Sequence, residues 1–204
     1  MNIFFTSDTH FGHANIIKYC NRPWLHKGDL DSTGRWISTD RAALRVQEMN
    51  KAIITNWNNV VKKDDIVYHL GDFCFKSANK KGNGIGTAWE EYESQLNGKI
   101  IFIRGNHDTH NKGSSKSLIV KATIRYGGFN ILLIHHPERV TPFDTCDMAY
   151  VGHIHNNWEI KRLKKEFGFI DMINVGVDVW NFKPIGINDI RGRYARWIKK
   201  NSLS

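Results

Sequence analysis

The chain has no long hydrophobic run, few cysteines and no low-complexity tract, and each lack removes a class of protein. No stretch approaches the roughly 18 consecutive apolar residues of a membrane span, so the sequence predicts a protein that does not cross a bilayer. The start, MNIFFTSDTH, has no basic n-region and reaches charged residues after a very short apolar stretch. That is not a secretory signal, and cytoplasmic residence is the expectation. Cys20, Cys74 and Cys146 are odd in number, widely spaced and in no CxxC pair, which argues against a disulfide framework or a cysteine zinc knuckle. No Pro/Gly/Ser-rich linker and no internal repeat divides the 204 residues. A single domain over 1–204 is expected, with a basic C-terminal tail from about residue 191.

What is present is a sizeable core and an uneven charge. Hydrophobic residues make up 41%, with seven Trp and eleven Phe, enough to bury an interior. The net charge is +9, and Lys183, Arg191, Arg193, Arg196, Lys199 and Lys200 near the end face one acid, Asp189. Between Thr109 and Pro137, Lys112, Lys116, Lys121 and Arg125 stand without any acid. Such a field is either a solvated basic surface or a guide for anionic partners, nucleic acid included.

Hydrophobic periodicity places the elements. Ile3, Phe4 and Phe5 read as a strand ending at SDTH, and Ile66, Val67, Tyr68 and Leu70 as a second one delivering Asp72. Between them, residues 11–34 are aromatic, Gly-bearing and irregular, the composition of a binding loop. From Asp40 onwards Val46, Met49, Ile53, Trp57 and Val60 recur at spacings of three and four, predicting an amphipathic helix. Thr87 with Glu90 forms a capping box and Asn97-Gly98 a stop, predicting a short helix over 88–96 that feeds the strand 100–103. Residues 118–126 and 129–134, joined through Gly127-Gly128, predict a β-hairpin ending at His135. Short strands over 148–151 and 170–175 follow. Strand–helix alternation in the first half and strands in the second fit two sheets packed face to face with helices outside.

Five clusters sit just past these strands: Asp8 with His10; Asp72; Asn106 with His107 and Asp108; His135; and His153 with His155. Strand ends carry them to one edge. Asp8, His10, Asp72, Asn106, His135, His153 and His155 offer two carboxylates, one amide oxygen and four imidazoles. Nitrogen and oxygen ligands without thiolate suit Mn²⁺, Fe, Zn²⁺ or Ni²⁺. Two adjacent ions need a shared ligand, and a carboxylate bridges where a neutral imidazole cannot, which makes Asp72 the natural bridge. In D-x-H and H-x-H the two side chains of an extended segment point the same way and reach one site. His136 neighbours His135, and composition does not decide between them.

DTH at 8–10, GD at 71–72, GNHD at 105–108, His135 and GHIH at 152–155 resemble, in order, the motif set of the calcineurin-like metallophosphoesterases. The match runs from residue 3 to about 180, and DTHFGHANII and NVGVDVW resemble small phage and bacterial members. The resemblance implies a four-layer α/β/β/α sandwich. It implies one metal on Asp8, His10, Asp72 and His155, and a second on Asp72, Asn106, His135 and His153, with Mn²⁺ foremost. It further implies that His107 contacts the substrate phosphate and that Asp108 orients its imidazole. The expected reaction is hydrolysis of a phosphate ester by in-line attack of a metal-bound hydroxide, with a nucleotide or nucleic-acid phosphodiester as substrate. A phosphomonoesterase on a small metabolite or phosphoprotein, a silent scaffold, or a nucleic-acid binding module are the alternatives.

For substrate contacts, His13, Asn15, Arg22 and Trp24 lie in the loop after the first cluster. Arg22 suits a phosphate oxygen and Trp24 a base, or the loop is anchored by its own aromatics. Asn174 and Asp178 either buttress the metal ligands by hydrogen bonds or serve as turn residues.

Overall fold

Two mixed sheets stack face to face in the computed structural model, which describes residues 1–75, 86, 88–108 and 118–201. The first sheet has three parallel strands, β1 (Ile3–Thr6), β2 (Ile66–His69) and β3 (Lys99–Phe102), with β9 (Ile185–Gly186) antiparallel beside β1. The second orders β4 (Lys121–Tyr126), β5 (Phe129–Ile134), β6 (Met148–Val151), β8 (Phe169–Asn174) and β7 (Ile160–Lys164), in which β5, β6 and β8 run parallel. The parallel trios present their C-terminal ends at one edge of the sandwich, where the motif residues fall.

Alternation along the strands builds three apolar layers. Phe5, Leu70, Ile103, Ile131, Leu133, Tyr150 and Ile173 face one another between the sheets. On the far side of the first sheet, Val67 and Phe102 meet α1 (Ala14–Tyr19), α2 (Thr39–Val60) and α3 (Trp89–Glu93) through Ile17, Met49, Trp57 and Trp89. Leu132, Ile134, Ala149, Val151, Ile170 and Met172 point to the outer face of the second sheet, where Val140 and Cys146 from the β5–β6 connection pack on them. The two mixed sheets with helices are the fold class expected from the sequence.

Helix α2 begins where Ser38 Oγ accepts the backbone N–H of Arg41 at 3.1 Å, and it buries Ala42, Val46, Met49, Ile53 and Trp57 along one stripe. The predicted hairpin is β4–β5, with Tyr126 opposite Phe129, although β4 starts at Lys121 rather than at 118. Helix α3 is shorter than the predicted 88–96; Ala88 is its N-cap, and Thr87 lies outside the described residues, as do His110, Lys112 and Lys116.

Three elements differ from the sequence reading. Residues 14–19, read as irregular loop, form α1, whose Ala14, Ile16 and Ile17 are buried against α2. The segment read as a basic tail is helix α4 (Ile187–Asn201), held because Ile187, Ile190 and Tyr194 recur on the face turned to the inter-sheet layer. Strand β7 pairs only on one side and is largely exposed, so charged residues fill it where an apolar alternation would have marked it.

Candidate metal centre

Each of the seven expected ligands leaves its strand within four positions, and five of them do so with the backbone turned left-handed. Asp8, His10, Asp72, His153 and His155 have φ of 58°, 50°, 56°, 72° and 46°. For residues with a Cβ this conformation costs about 1–3 kcal/mol each and persists only where the surroundings impose it. Those surroundings are unusually close. A Cβ on Gly105 would land on the Asp72 backbone nitrogen and carboxylate, and one on Gly152 on the Ser7 hydroxyl beside the Asp8 carboxylate. The glycines of GNHD and GHIH thus admit the neighbouring strand end. Val177 N–H donates to Ser7 O at 3.0 Å and His153 N–H to the Asp8 carboxylate at 3.0 Å, stitching the sheets together at this edge.

The side chains converge on Asp72. Its Oδ2 lies 3.5 Å from His10 Nε2, 3.5 Å from His135 Nε2 and 3.9 Å from His107 Nε2. Asn106 Oδ1 lies 3.1 Å from His135 Nε2 and 2.9 Å from His153 Nδ1. An ion with bonds of about 2.1 Å holds adjacent ligand atoms about 3.0–3.4 Å apart, and the 2.9–3.5 Å separations between these ligand atoms bracket that spacing. Ligand atoms of Asp8, His10 and His155 lie within 4.8 Å of one another, as do those of Asp8, Asp72 and His135, and those of His135, His136 and His153.

Ring tautomers are set from outside. His135 Nδ1 donates to Leu70 O at 2.7 Å and His155 Nδ1 to Asp178 Oδ2 at 2.8 Å, so that each ring, once neutral, presents the lone pair of its Nε2. His10 Nδ1 lies 3.2 Å from His13 Nδ1, and His10 Nε2 is buried with no hydrogen-bond partner among the described residues. A buried lone pair aimed at a carboxylate suits a cation between them. The electrostatics agree. Burial would depress His135, yet its hydrogen bond to Asp72 and the charge of Asp8 hold it at about 9. Burial opposes His155 as well, and Asp178 with Asp8 lifts it to about 10. Burial and the neighbouring imidazoles keep His10 well below the ordinary range and His13 at about 3. The carboxylates therefore favour positive charge where His135 and His155 meet them, and the donor set fits divalent ions.

Two residues act differently from their expected roles. Arg22, expected on a substrate phosphate, is buried, with Nε and Nη2 donating to Asp178 at 2.8 and 3.0 Å and Nη1 and Nη2 to the Thr9 and Asp8 carbonyls. Its donors are spent on holding Asp178 under His155 and on the Asp8–Thr9 turn. Asp108, expected to orient His107, accepts instead from the backbone N–H groups of Asp72, Phe73 and Gly105 at 2.9, 3.1 and 2.8 Å. Both oxygens brace the strained turn at Asp72. Of the two readings of Asn174 and Asp178, buttressing is the one observed: Asn174 Nδ2 donates to His155 O at 2.6 Å.

Beside the centre a cleft of about 450 Å³ opens, lined by His10, His13, Asn15, His107 and His155. His107 is 35% exposed at its mouth, the only one of the three imidazoles around Asp72 that solvent reaches to this extent. Asn15 lines it, with Oδ1 accepting from Trp36 Nε1 at 3.2 Å. Trp24 is not part of this lining; it packs edge-on against Phe182, ring centres 4.7 Å apart, as a loop anchor. Sequence reasoning missed Phe75, which stacks on His13 at 4.1 Å, and Tyr19, Asn156 and Asn157 on the rim. The pair Asn156-Asn157 directly after GHIH was the available signal.

Paired mixed sheets thus carry, at their parallel edge, an oxygen- and imidazole-lined centre suited to metal ions. The chain belongs to the calcineurin-like phosphoesterase family, whose sequence profile matches residues 1–160, and its substrate class is accordingly a phosphate ester. It is 39% identical over 206 residues to an uncharacterized protein of Methanocaldococcus jannaschii, covering 96% of both chains. It is 31% identical to the gene 66 protein of Mycobacterium phage L5, covering 88% of this chain and 87% of that one. Among solved structures, a protein of unknown function from Aquifex aeolicus superposes with a TM-score of 0.57 at 26% identity, covering 94% of this chain and 98% of the other.

Proposed function

We propose that the protein is a dinuclear metal-dependent phosphodiesterase acting on nucleotides or nucleic acid. The observation that carries this reading is Asp72 Oδ2, 3.5 Å from both His10 Nε2 and His135 Nε2. One carboxylate oxygen between two imidazole groups is the arrangement of a bridging ligand. Asp8, His10 and His155 would complete one ion's ligands, and Asn106, His135 and His153 the other's. When bound, two divalent ions supply positive charge for the phosphoryl group and lower the pKa of water for attack at phosphorus. Mn²⁺ suits this donor set foremost.

The remaining steps belong to the chain. His107, at the mouth of the cleft, is placed to donate to a phosphoryl or leaving-group oxygen as charge develops there. Asp108 fixes the Asp72 turn, while Arg22 and Asp178 fix the orientation of His155. His13 and Phe75 form an aromatic wall beside the cleft, which suits a base or sugar next to the scissile phosphate.

The test is an assay of the Mn²⁺-loaded protein on bis-p-nitrophenyl phosphate, p-nitrophenyl phosphate, cyclic nucleotides and single-stranded RNA or DNA, with His107→Ala alongside. Turnover of diesters that His107→Ala lowers by about 10²–10⁴ is expected. Activity on the monoester alone would overturn the substrate assignment.

A further inference from the structure

Helix α4 carries two faces. Ile187, Ile190, Tyr194 and Trp197 enter the apolar layers, whereas Arg193, Arg196 and Lys200, at i, i+3 and i+7, share another stripe that meets the edge of Trp197. Together with Glu159 they line an open groove of about 370 Å³, separate from the metal-side cleft. Three cations against one acid is the reverse of a neutral surface, and nothing in the hydrolytic centre uses them.

Two of the cations are uncommitted. Arg196 and Lys200 are exposed and make no hydrogen bond or ion pair with an acid among the described residues. Arg193 is committed, and its contacts tie the groove to the centre. Its guanidinium lies 3.3 Å over the Trp180 ring, Nη1 donates to Val179 O at 2.7 Å, and Glu159 is 3.2 Å away. Val179 adjoins Asp178, the partner of His155. Glu159 stands two residues beyond Asn157 on the rim of the metal-side cleft, at most about 7 Å of chain. A strand leaving the cleft over Asn157 therefore meets the groove at Glu159.

We propose that this groove is a second phosphate-binding subsite that holds the strand of a single-stranded nucleic-acid substrate beyond the scissile bond. Arg196 and Lys200 neutralise backbone phosphates, Trp197 provides the groove's aromatic surface, and Glu159 holds Arg193 in place. The inference rests on the phosphodiesterase reading above and supplies its substrate: a polynucleotide rather than a free nucleotide.

The test pairs Arg196→Glu/Lys200→Glu with a control of equal charge change, Lys62→Glu/Lys63→Glu, whose exposed side chains precede β2 at the opposite edge of the sheet. Binding of a fluorescein-labelled oligothymidylate of about 12 nucleotides is followed by anisotropy across salt concentrations, alongside Mn²⁺-dependent turnover of bis-p-nitrophenyl phosphate. The groove variant is expected to bind the oligonucleotide at least about tenfold more weakly at low salt, with a salt slope shallower by about one to two, and to turn over the small ester as the parent does. The control is expected to bind like the parent. Equal weakening in both variants, or none in the groove variant, would overturn the subsite. Failure of the parent on the small ester would overturn the phosphodiesterase reading alone, because binding is read without turnover.

Discussion

At the scale of single residues, the centre depends as much on what stands beside the ligands as on the ligands. His107→Ala should leave metal content unchanged and lower kcat by about 10²–10⁴, read by elemental analysis alongside turnover; normal turnover with metals bound would remove His107 from the chemistry. Asp72→Ala should lose metal and activity together. Gly152→Ala should cost metal affinity although no ligand changes, because its Cβ meets Ser7 Oγ and the Asp8 carboxylate. Calorimetric titration with Mn²⁺ checks this. Arg22→Met leaves Asp178 charged and buried, so stability should fall by about 3–5 kcal/mol in urea unfolding. A pure substrate contact would instead raise KM with stability intact. That the expected ligands would converge was legible in the sequence because each motif follows an apolar run and D-x-H and H-x-H bring side chains to one place. The left-handed backbone at Asp8, His10, Asp72, His153 and His155 was not, since it is imposed by strands distant in sequence. The role of Arg22 was hidden for the same reason: its partner Asp178 lies 156 residues away.

At the scale of elements, packing decided what local propensity left open. Helix α2 was legible from its stripe alone, and Trp57, fully buried in its last turn with Nε1 donating to Asn97 O at 2.9 Å, anchors it to the connection between α3 and β3. Trp57→Ala should cost about 3–5 kcal/mol in the same unfolding measurement. Helix α1 escaped notice because six residues, with no side-chain cap, give too short a period to see. The loop that follows is held to α2 by Asp29, which accepts from Arg45 Nε at 2.8 Å and from the His26 N–H at 2.8 Å. Burial raises the Asp29 carboxyl, but Arg45 more than offsets it and the pKa lies below the ordinary value. A depressed folded pKa means the contribution is full above the unfolded pKa of about 3.9 and is lost as pH falls through the folded one. Asp29→Asn should therefore be less stable at neutral pH, with a shallower stability loss between about pH 5 and pH 3. A parallel acid limb in both proteins would show that the pair contributes nothing.

At the scale of the whole molecule, sheet topology turns dispersed motifs into one centre. The two-sheet architecture was readable from the change in strand and helix alternation, whereas β9, two residues long, and the exposed β7 were not. Metal binding to the folded state alone should raise the melting temperature, by about 2.7 kcal/mol of stability at a hundredfold excess over Kd, and chelation should reverse it. Identical melting with Mn²⁺ and with EDTA would exclude the centre. The hydrogen bond from His153 to Asp8 spans 145 residues, and the support of His155 comes later still, from Asp178. During synthesis the first carboxylate therefore waits for almost the entire chain to emerge before its partners exist. A chain cut short before β8 would hold all seven expected ligands yet lack Asn174 and Asp178, the two partners that fix His155.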